Sequence, residues 1–221
     1  RRAGALRTAG LDRVTVSLDT VDRDAYRRLT GGDIERVLGG LEAAGREGLE
    51  PRKINAVLRR SRWRRDVPML LDLAAAEHIE VRFIELMRTG TDDAWCRSER
   101  ITAREIREAL VQERPDAFVG CPQQDGMSPA RIDRLRWRGQ EVRVGWIEPV
   151  SQPFCGRCDR LRLHPDGSIA RCLMDPVRLD LPGIRRAAGG RHATHAVLEY
   201  LDGKQPASGM ASVFPMARLG G

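Results

Sequence analysis

The sequence is short of aromatics, of long apolar runs and of cysteine, and each shortage excludes a class of protein. Aromatic residues make up 5% of the 221, too few for a protein that stacks successive bases on rings, as single-strand nucleic-acid binders do. No apolar run approaches the roughly 20 residues that cross a bilayer, and no apolar signal core follows the N-terminus. Five cysteines, three of them clustered, fit a metal site in a reducing cytoplasm better than a disulfide scaffold. A starting methionine is missing too. The chain opens on Arg1 and runs at once into the helix-like RRAGALRTAGL, from which we expect the C-terminal part of a longer protein.

What is present fits a soluble globular protein. Apolar residues are 41% and charged residues 31% of the chain, enough for a real core in one domain or one and a half. The net charge of +7 comes from 38 basic and 31 acidic residues. Solvated helix faces in an arginine-rich protein account for it, and so does an anionic partner such as nucleic acid or a phosphorylated small molecule. The basic residues are spread along the chain with acids between them, so charge alone leaves both readings standing.

Three runs read as buried strands, each followed by a helical pattern. RVTVSLD (13–19) precedes DRDAYRRL and DIERVLGGLEAAGREG; RKINAVL (52–58) precedes DVPMLLDLAAAEHI (66–79); EVRFIELM spans 80–87. Strand–helix repeats at this spacing predict consecutive βαβ units and a parallel sheet. The alternation carries more. One face keeps Thr15, Ser17 and Asp19, then Lys53 and Asn55, then Glu85, against Val14, Val16, Leu18, Ile54, Ala56, Leu58, Ile84 and Leu86 on the other. Polar groups are costly to bury unbonded, so this pattern predicts a wet or ligand-filled interior: a partial barrel with helices outside and chemistry at the C-terminal strand ends.

After residue 90 the pattern changes. ITAREIREAL (101–110) opens with a Thr102–Glu105 capping pattern and reads as a helix. RIDRLRWRGQEVRVGWIEPV (131–150) reads as a hairpin turning at Arg138-Gly139-Gln140. A second hairpin turns at Asp166-Gly167. The expected fold is α/β: barrel-like residues 1–90, then a smaller antiparallel module over 91–221.

Residues 154–173 read FCGRCDRLRLHPDGSIARCL. Cys155 and Cys158 share a tight turn through Gly156, and Cys172 returns after the Asp166-Gly167 turn, so the hairpin brings three thiols to one end. A zinc site needs a fourth ligand, from His164 or a remote residue; a [4Fe–4S] cluster held by three cysteines leaves one iron open for a small molecule. Arg160 and Arg162, sharing a strand face beside Cys158, suit a phosphate or carboxylate, though a charged strand edge is the plainer reading. Cys96 and Cys121 read as incidental, and His192 and His195 as the start of a surface helix.

The cysteine stretch resembles the C-terminal cluster motif of the GTP 3′,8-cyclases, radical S-adenosylmethionine enzymes of molybdenum cofactor biosynthesis. AGLDRVTVSLDTVD, the TGGD at 30–33, RKINAVL, VRFIELM followed by Gly90, and the terminal Gly-Gly resemble the same family in the same order. The loops at 113–130 and the segment GKQPASGM (203–210) match poorly. The resemblance implies the C-terminal half of a partial (β/α)6 TIM-like barrel followed by a small α+β iron–sulfur module. It implies that Cys155, Cys158 and Cys172 hold a [4Fe–4S] cluster whose open iron contacts the guanine of GTP. Lys53 and the segment Arg160, Leu161 and Arg162 would bind GTP, Ser17 and Met87 would touch S-adenosylmethionine, and the Gly220–Gly221 tail would support catalysis. The implied partners are GTP, a second copy in a homodimer and the downstream cyclic pyranopterin monophosphate synthase, with neither membrane nor nucleic acid, in the cytoplasm. The family's first cluster, a second [4Fe–4S] centre on a C-x3-C-x2-C loop, has no counterpart in this sequence; it makes the radical that abstracts hydrogen from C3′ of GTP, so we expect no turnover by this chain alone. The rival expectation is a non-enzymatic zinc-binding module contacting nucleic acid through its arginines.

Overall fold

Capping side chains set several of the helix starts. After α1 (Ala3–Thr8) and β1 (Val14–Ser17), Asp22 starts α2 (Arg23–Thr30) by accepting the Ala25 N–H at 2.9 Å. Asp33 starts α3 (Ile34–Arg46) by accepting the Glu35 N–H at 3.1 Å. Then follow β2 (Arg52–Leu58), α4 (Trp63–Glu77) and β3 (Glu80–Glu85). The helix expected from Asp66 begins three residues earlier, at Trp63, and takes Pro68 inside it. α5 (Asp93–Glu99) precedes α6 (Ala103–Glu113), which opens with the expected capping box: Thr102 Oγ1 accepts the Glu105 N–H at 3.2 Å and Glu105 Oε2 accepts the Thr102 N–H at 2.9 Å. After β4 (Gln123–Gln124) come β5 (Arg131–Trp137) and β6 (Gln140–Ile147). Arg138 and Gly139 between them both take positive φ, 47° and 80°, the signature of a two-residue type I′ hairpin turn. The described residues then form a 3₁₀ turn (Cys155–Arg157), β7 (Arg162–Leu163), β8 (Ile169–Ala170) and α7 (Leu181–Asp202).

This computed structural model describes residues 2–87, 92–120, 123–124, 128–158, 160–174 and 177–202, with the backbone alone at 124, 157 and 188–193. The chain divides into two units, Arg1–Leu86 with Glu99–Glu148, and Met87–Ser98 with Pro149–Gly221.

The first unit is built on a six-stranded sheet in the order β1-β2-β3-β6-β5-β4. Its first four strands run parallel, and β5 and β4 are antiparallel to their neighbours. This is a mixed α/β fold with a mostly parallel centre. The hairpin expected with the residues after 90 joins this sheet instead, because β6 pairs with β3 from Val81↔Val144 to Ile84↔Ile147. Strand order 1-2-3 advances in one direction, and right-handed crossovers then put the connecting helices on one face. On that face Ile54, Ala56, Leu58, Val81, Phe83, Val144 and Trp146 pack with Leu41 of α3, Leu70 and Leu71 of α4 and Ile106 of α6. Each such aliphatic side chain, fully buried, contributes about 1.5–3 kcal/mol. Trp146 also donates from Nε1 to the buried Asp133 at 2.6 Å, and Arg107 neutralises that carboxylate.

Among the described residues of the second unit, β7 and β8 form a two-stranded hairpin with Arg162↔Ala170 and Leu163↔Ile169 in register. Gly167 has φ +81°, the left-handed conformation that the expected Asp166-Gly167 turn requires. Asp166 reinforces the turn by accepting the Ser168 N–H at 2.8 Å and its hydroxyl at 2.6 Å.

Candidate functional site

Strand alternation in the first unit separates a packing face from a polar one. Along β2 the residues from Arg52 to Leu58 are alternately buried and half-buried, with Lys53, Asn55 and Val57 on the half-buried side. In-register neighbours share a face, so Thr15 and Ser17 of β1 join Lys53 and Asn55 through the pairs Thr15↔Lys53 and Ser17↔Asn55. The Cα atoms of Ser17 and Lys53 are thus about 6.6 Å apart along the strands and about 4.8 Å apart across them. The structure therefore places both predicted residues on one polar face. Asn55 Oδ1 on that face is buried without a hydrogen-bond donor among the described residues.

The contribution of β3 to this face differs from the expected one. Glu85 pairs with Leu58 on the packing side, where it is buried with Arg100 Nε at 3.9 Å. Ile84, expected to pack, pairs with Val57 on the polar side. Phe83 takes the core position beside Ala56, which sets the phase of the whole strand and turns Glu80 and Arg82 onto the polar face. One residue of phase therefore exchanges the two sides.

Glu80 gathers three cations there. Its Oε1 lies 3.6 Å from Lys53 Nζ and accepts from Arg82 Nε at 2.6 Å, and its Oε2 accepts from Arg143 Nε at 3.0 Å. Burial pushes this carboxyl up, but the hydrogen bond and charge of Arg82, the Arg143 hydrogen bond and the charge of Lys53 outweigh it, and the net shift is downward. At the C-terminal end of β1, Asp19 Oδ1 accepts the Val57 N–H at 2.8 Å. Burial raises the Asp19 pKa above the usual carboxylate value, against the pull of that bond and of Arg59.

In the second unit the cysteines occupy the two ends of a hairpin. Cys155 begins the 3₁₀ turn and its carbonyl accepts the Cys158 N–H at 3.2 Å. Cys172 follows β8 by two residues, beyond the last observed pair, Arg162↔Ala170. None of the three is in a disulfide and all are half-buried, and Cys172 Sγ accepts the Met174 N–H at 3.3 Å. Soft thiolates with N–H···S bonds suit zinc or an iron–sulfur cluster. Among the described residues, however, no three His, Cys, Asp or Glu side chains are gathered tightly enough to hold a metal ion. His164 is buried with no hydrogen-bond partner for Nε2 among the described residues, and it joins no such group.

The remaining candidates scatter. β7 begins only at Arg162, so Arg160 precedes the strand rather than sharing its face, and its guanidinium lies 5.0 Å from the centre of the Phe154 ring. Leu161 is exposed and Arg162 half-buried. Met87 is half-buried, and its carbonyl lies 3.8 Å from Cys96 Sγ. His192 and His195 fall inside α7 rather than at a helix start; His195 is exposed beside Glu199 at 3.6 Å. Cys121, Gly220 and Gly221 lie outside the described residues. Sequence reasoning missed Glu80, Arg82 and Arg143. Setting the phase of β3 by its one aromatic, Phe83, would have exposed the first two.

The comparisons with known proteins agree on one family. The family profile described as Molybdenum Cofactor Synthesis C matches residues 79–209. A GTP 3′,8-cyclase of Pelotomaculum thermopropionicum is 35% identical over 202 residues, 90% of this chain and 61% of the relative. One from Alkaliphilus metalliredigens is 34% identical over 183 residues, 82% of this chain and 55% of the relative. A third, from Streptomyces coelicolor, is 40% identical over 190 residues, 85% of this chain and 54% of the relative. The chain thus spans little more than half the length of these relatives.

Proposed function

The chain belongs to the Molybdenum Cofactor Synthesis C family, and on that footing we propose that it is the substrate-holding part of a GTP 3′,8-cyclase. Similarity to relatives that carry this name supports the reaction. The observation that carries the reading is the cysteine hairpin inside the family match, with Cys155 and Cys158 before β7, Cys172 after β8, and Arg160 and Arg162 following Cys158. The first unit then supplies the half-barrel, with its helices on one face and its polar strand positions on the other. The second unit supplies the cluster module.

In this reading Cys155, Cys158 and Cys172 hold a [4Fe–4S] cluster, which when bound supplies one iron without a protein ligand, open to a small molecule. The chain's own groups bind and orient. Arg160 and Arg162 offer guanidinium forks to phosphate or purine oxygens, with Leu161 as an apolar contact between them. Lys53 offers a point charge to the phosphates. Ser17 and Met87 contact S-adenosylmethionine, and the Gly220–Gly221 tail supports catalysis, as the resemblance implies. The family's other cluster, on a C-x3-C-x2-C loop that this sequence does not contain, would supply the radical chemistry. A homodimer and transfer of product to cyclic pyranopterin monophosphate synthase complete the proposal.

Anaerobic reconstitution of the 221-residue chain is expected to give about four iron and four sulfide per chain. Electron–nuclear spectra of that centre should change when GTP is added. Stoichiometric zinc would favour the nucleic-acid module instead. An unchanged spectrum together with no GTP binding would sink the reading.

A further inference from the structure

The three cations around Glu80 stand on neighbouring strands of one face. Lys53 and Glu80 are in-register partners across β2 and β3, and Glu80 and Arg82 are two residues apart on β3 and point the same way. Glu80 is 5% exposed, Arg82 12% and Lys53 19%, while Arg143 is 52% exposed. A carboxylate that deep costs several kcal/mol to bury unpaired, so it persists because the cations satisfy it. They are in turn held by it: Oε1 is shared between Lys53 and Arg82, and Arg143 braces Oε2 from β6.

A second device fixes Arg82. Its register partner on β6 is Gly145, and a Cβ there would lie 2.8 Å from Arg82 Cγ. The missing side chain lets the arginine stem lie across β6. Lys53 and Arg82 are therefore set both by a shared counter-ion and by shape, with three cations gathered around Glu80.

We propose that Glu80 is a positioning residue that holds Lys53, with Arg82 beside it, in the arrangement that receives the anionic part of a ligand on this face. Under the function proposed above, on which this inference rests, that part is the triphosphate of GTP. Glu80 itself repels the ligand, so its position and its charge act in opposite directions. This opposition makes the role testable by sign. If Glu80 only tempers the charge of the face, removing its charge tightens anion binding. If it positions Lys53, removing its charge weakens binding although the face becomes more positive.

The test measures GTP and inorganic triphosphate binding to the 221-residue chain by equilibrium dialysis, in the wild type, Glu80→Gln, Lys53→Met and the double variant. Glu80→Gln is expected to weaken GTP binding about tenfold, and to cost less than about threefold in the Lys53→Met background, because a positioning effect is lost with the group it positions. Equal or tighter binding by Glu80→Gln, or an undiminished effect in the double variant, overturns the role of Glu80. Should Glu80→Gln fail to fold, Glu80→Asp keeps the charge while withdrawing the carboxylate by one methylene. It is then judged by the same two criteria, weaker binding and loss of the effect without Lys53. A wild-type chain that binds neither GTP nor triphosphate sinks the proposed function itself, an outcome separate from any of these.

Discussion

Gly39 and Gly45 lie six residues apart in α3, yet an added methyl group meets opposite surroundings at the two. At Gly39 nothing lies within 4 Å, whereas at Gly45 a Cβ would lie 2.6 Å from Arg52 Nη1 and 2.7 Å from Cζ. That guanidinium is not free to step aside. It is pinned by Glu50 at 2.7 Å, by the Leu41 carbonyl at 3.2 Å, and by the carboxylate and carbonyl of Glu77 at 3.2 and 2.7 Å. Gly39→Ala should therefore stabilise the chain by about 0.5–1 kcal/mol, the helix preference for alanine. Gly45→Ala should lose that gain to overpacking and destabilise by about 1–2 kcal/mol. Denaturant midpoints of the two variants check the pair, and equal shifts would refute the account. From sequence alone the glycines are indistinguishable, because all of them weaken the helical pattern equally. Only the partner across the fold separates them.

At the scale of elements, α6 is the helix whose start was most legible, since Thr102 and Glu105 carry their own capping chemistry. Thr102→Ala should cost about 1 kcal/mol. Glu105 adds a pH dependence. Burial, its largest single influence, raises its pKa, but the Thr102 N–H, Arg60 and the Thr102 hydroxyl more than reverse this and bring it from 4.5 to about 2. Because the folded value is the lower one, the stability this carboxylate contributes is fully present above pH about 4.5 and is lost as the pH falls toward about 2. Glu105→Gln should flatten the acid limb of a stability–pH curve across that window and leave its shape above pH 5 unchanged. Other elements were less legible for physical reasons. β2 was read to the residue because its alternation is unbroken over Arg52–Leu58. β3 was read in the wrong phase because Ile84 and Leu86 look like core while Phe83 fills that place. α7 was read only as a surface helix start at His192 and His195, and α4 was read from Asp66 although it begins at Trp63.

For the whole molecule, the mostly parallel α/β centre followed from the strand–helix repeats. The place of the 131–147 hairpin did not, since nothing local to it names β3 as the partner of β6. The same contrast holds for the candidate site. Ser17 and Lys53 were put on a polar face by alternation within single strands and singled out by the family resemblance, whereas Glu80, Arg82 and Arg143 depend on register between strands. The chain spans 61%, 55% and 54% of three GTP 3′,8-cyclases, and under the proposed division of labour it binds without converting. Incubated with GTP, S-adenosylmethionine and a reductant, it should yield no cyclised nucleotide by mass spectrometry, and turnover by this chain alone would refute that division. The two-sided sheet has a consequence for descent. On β2 the even-numbered side chains answer to the helices and the odd-numbered ones to whatever the polar face holds. Changes at odd positions can then accumulate with the hydrophobic contacts untouched, so ligand preference is able to drift while foldability stays under separate selection. A lineage could retune what this face recognises without passing through unfolded ancestors.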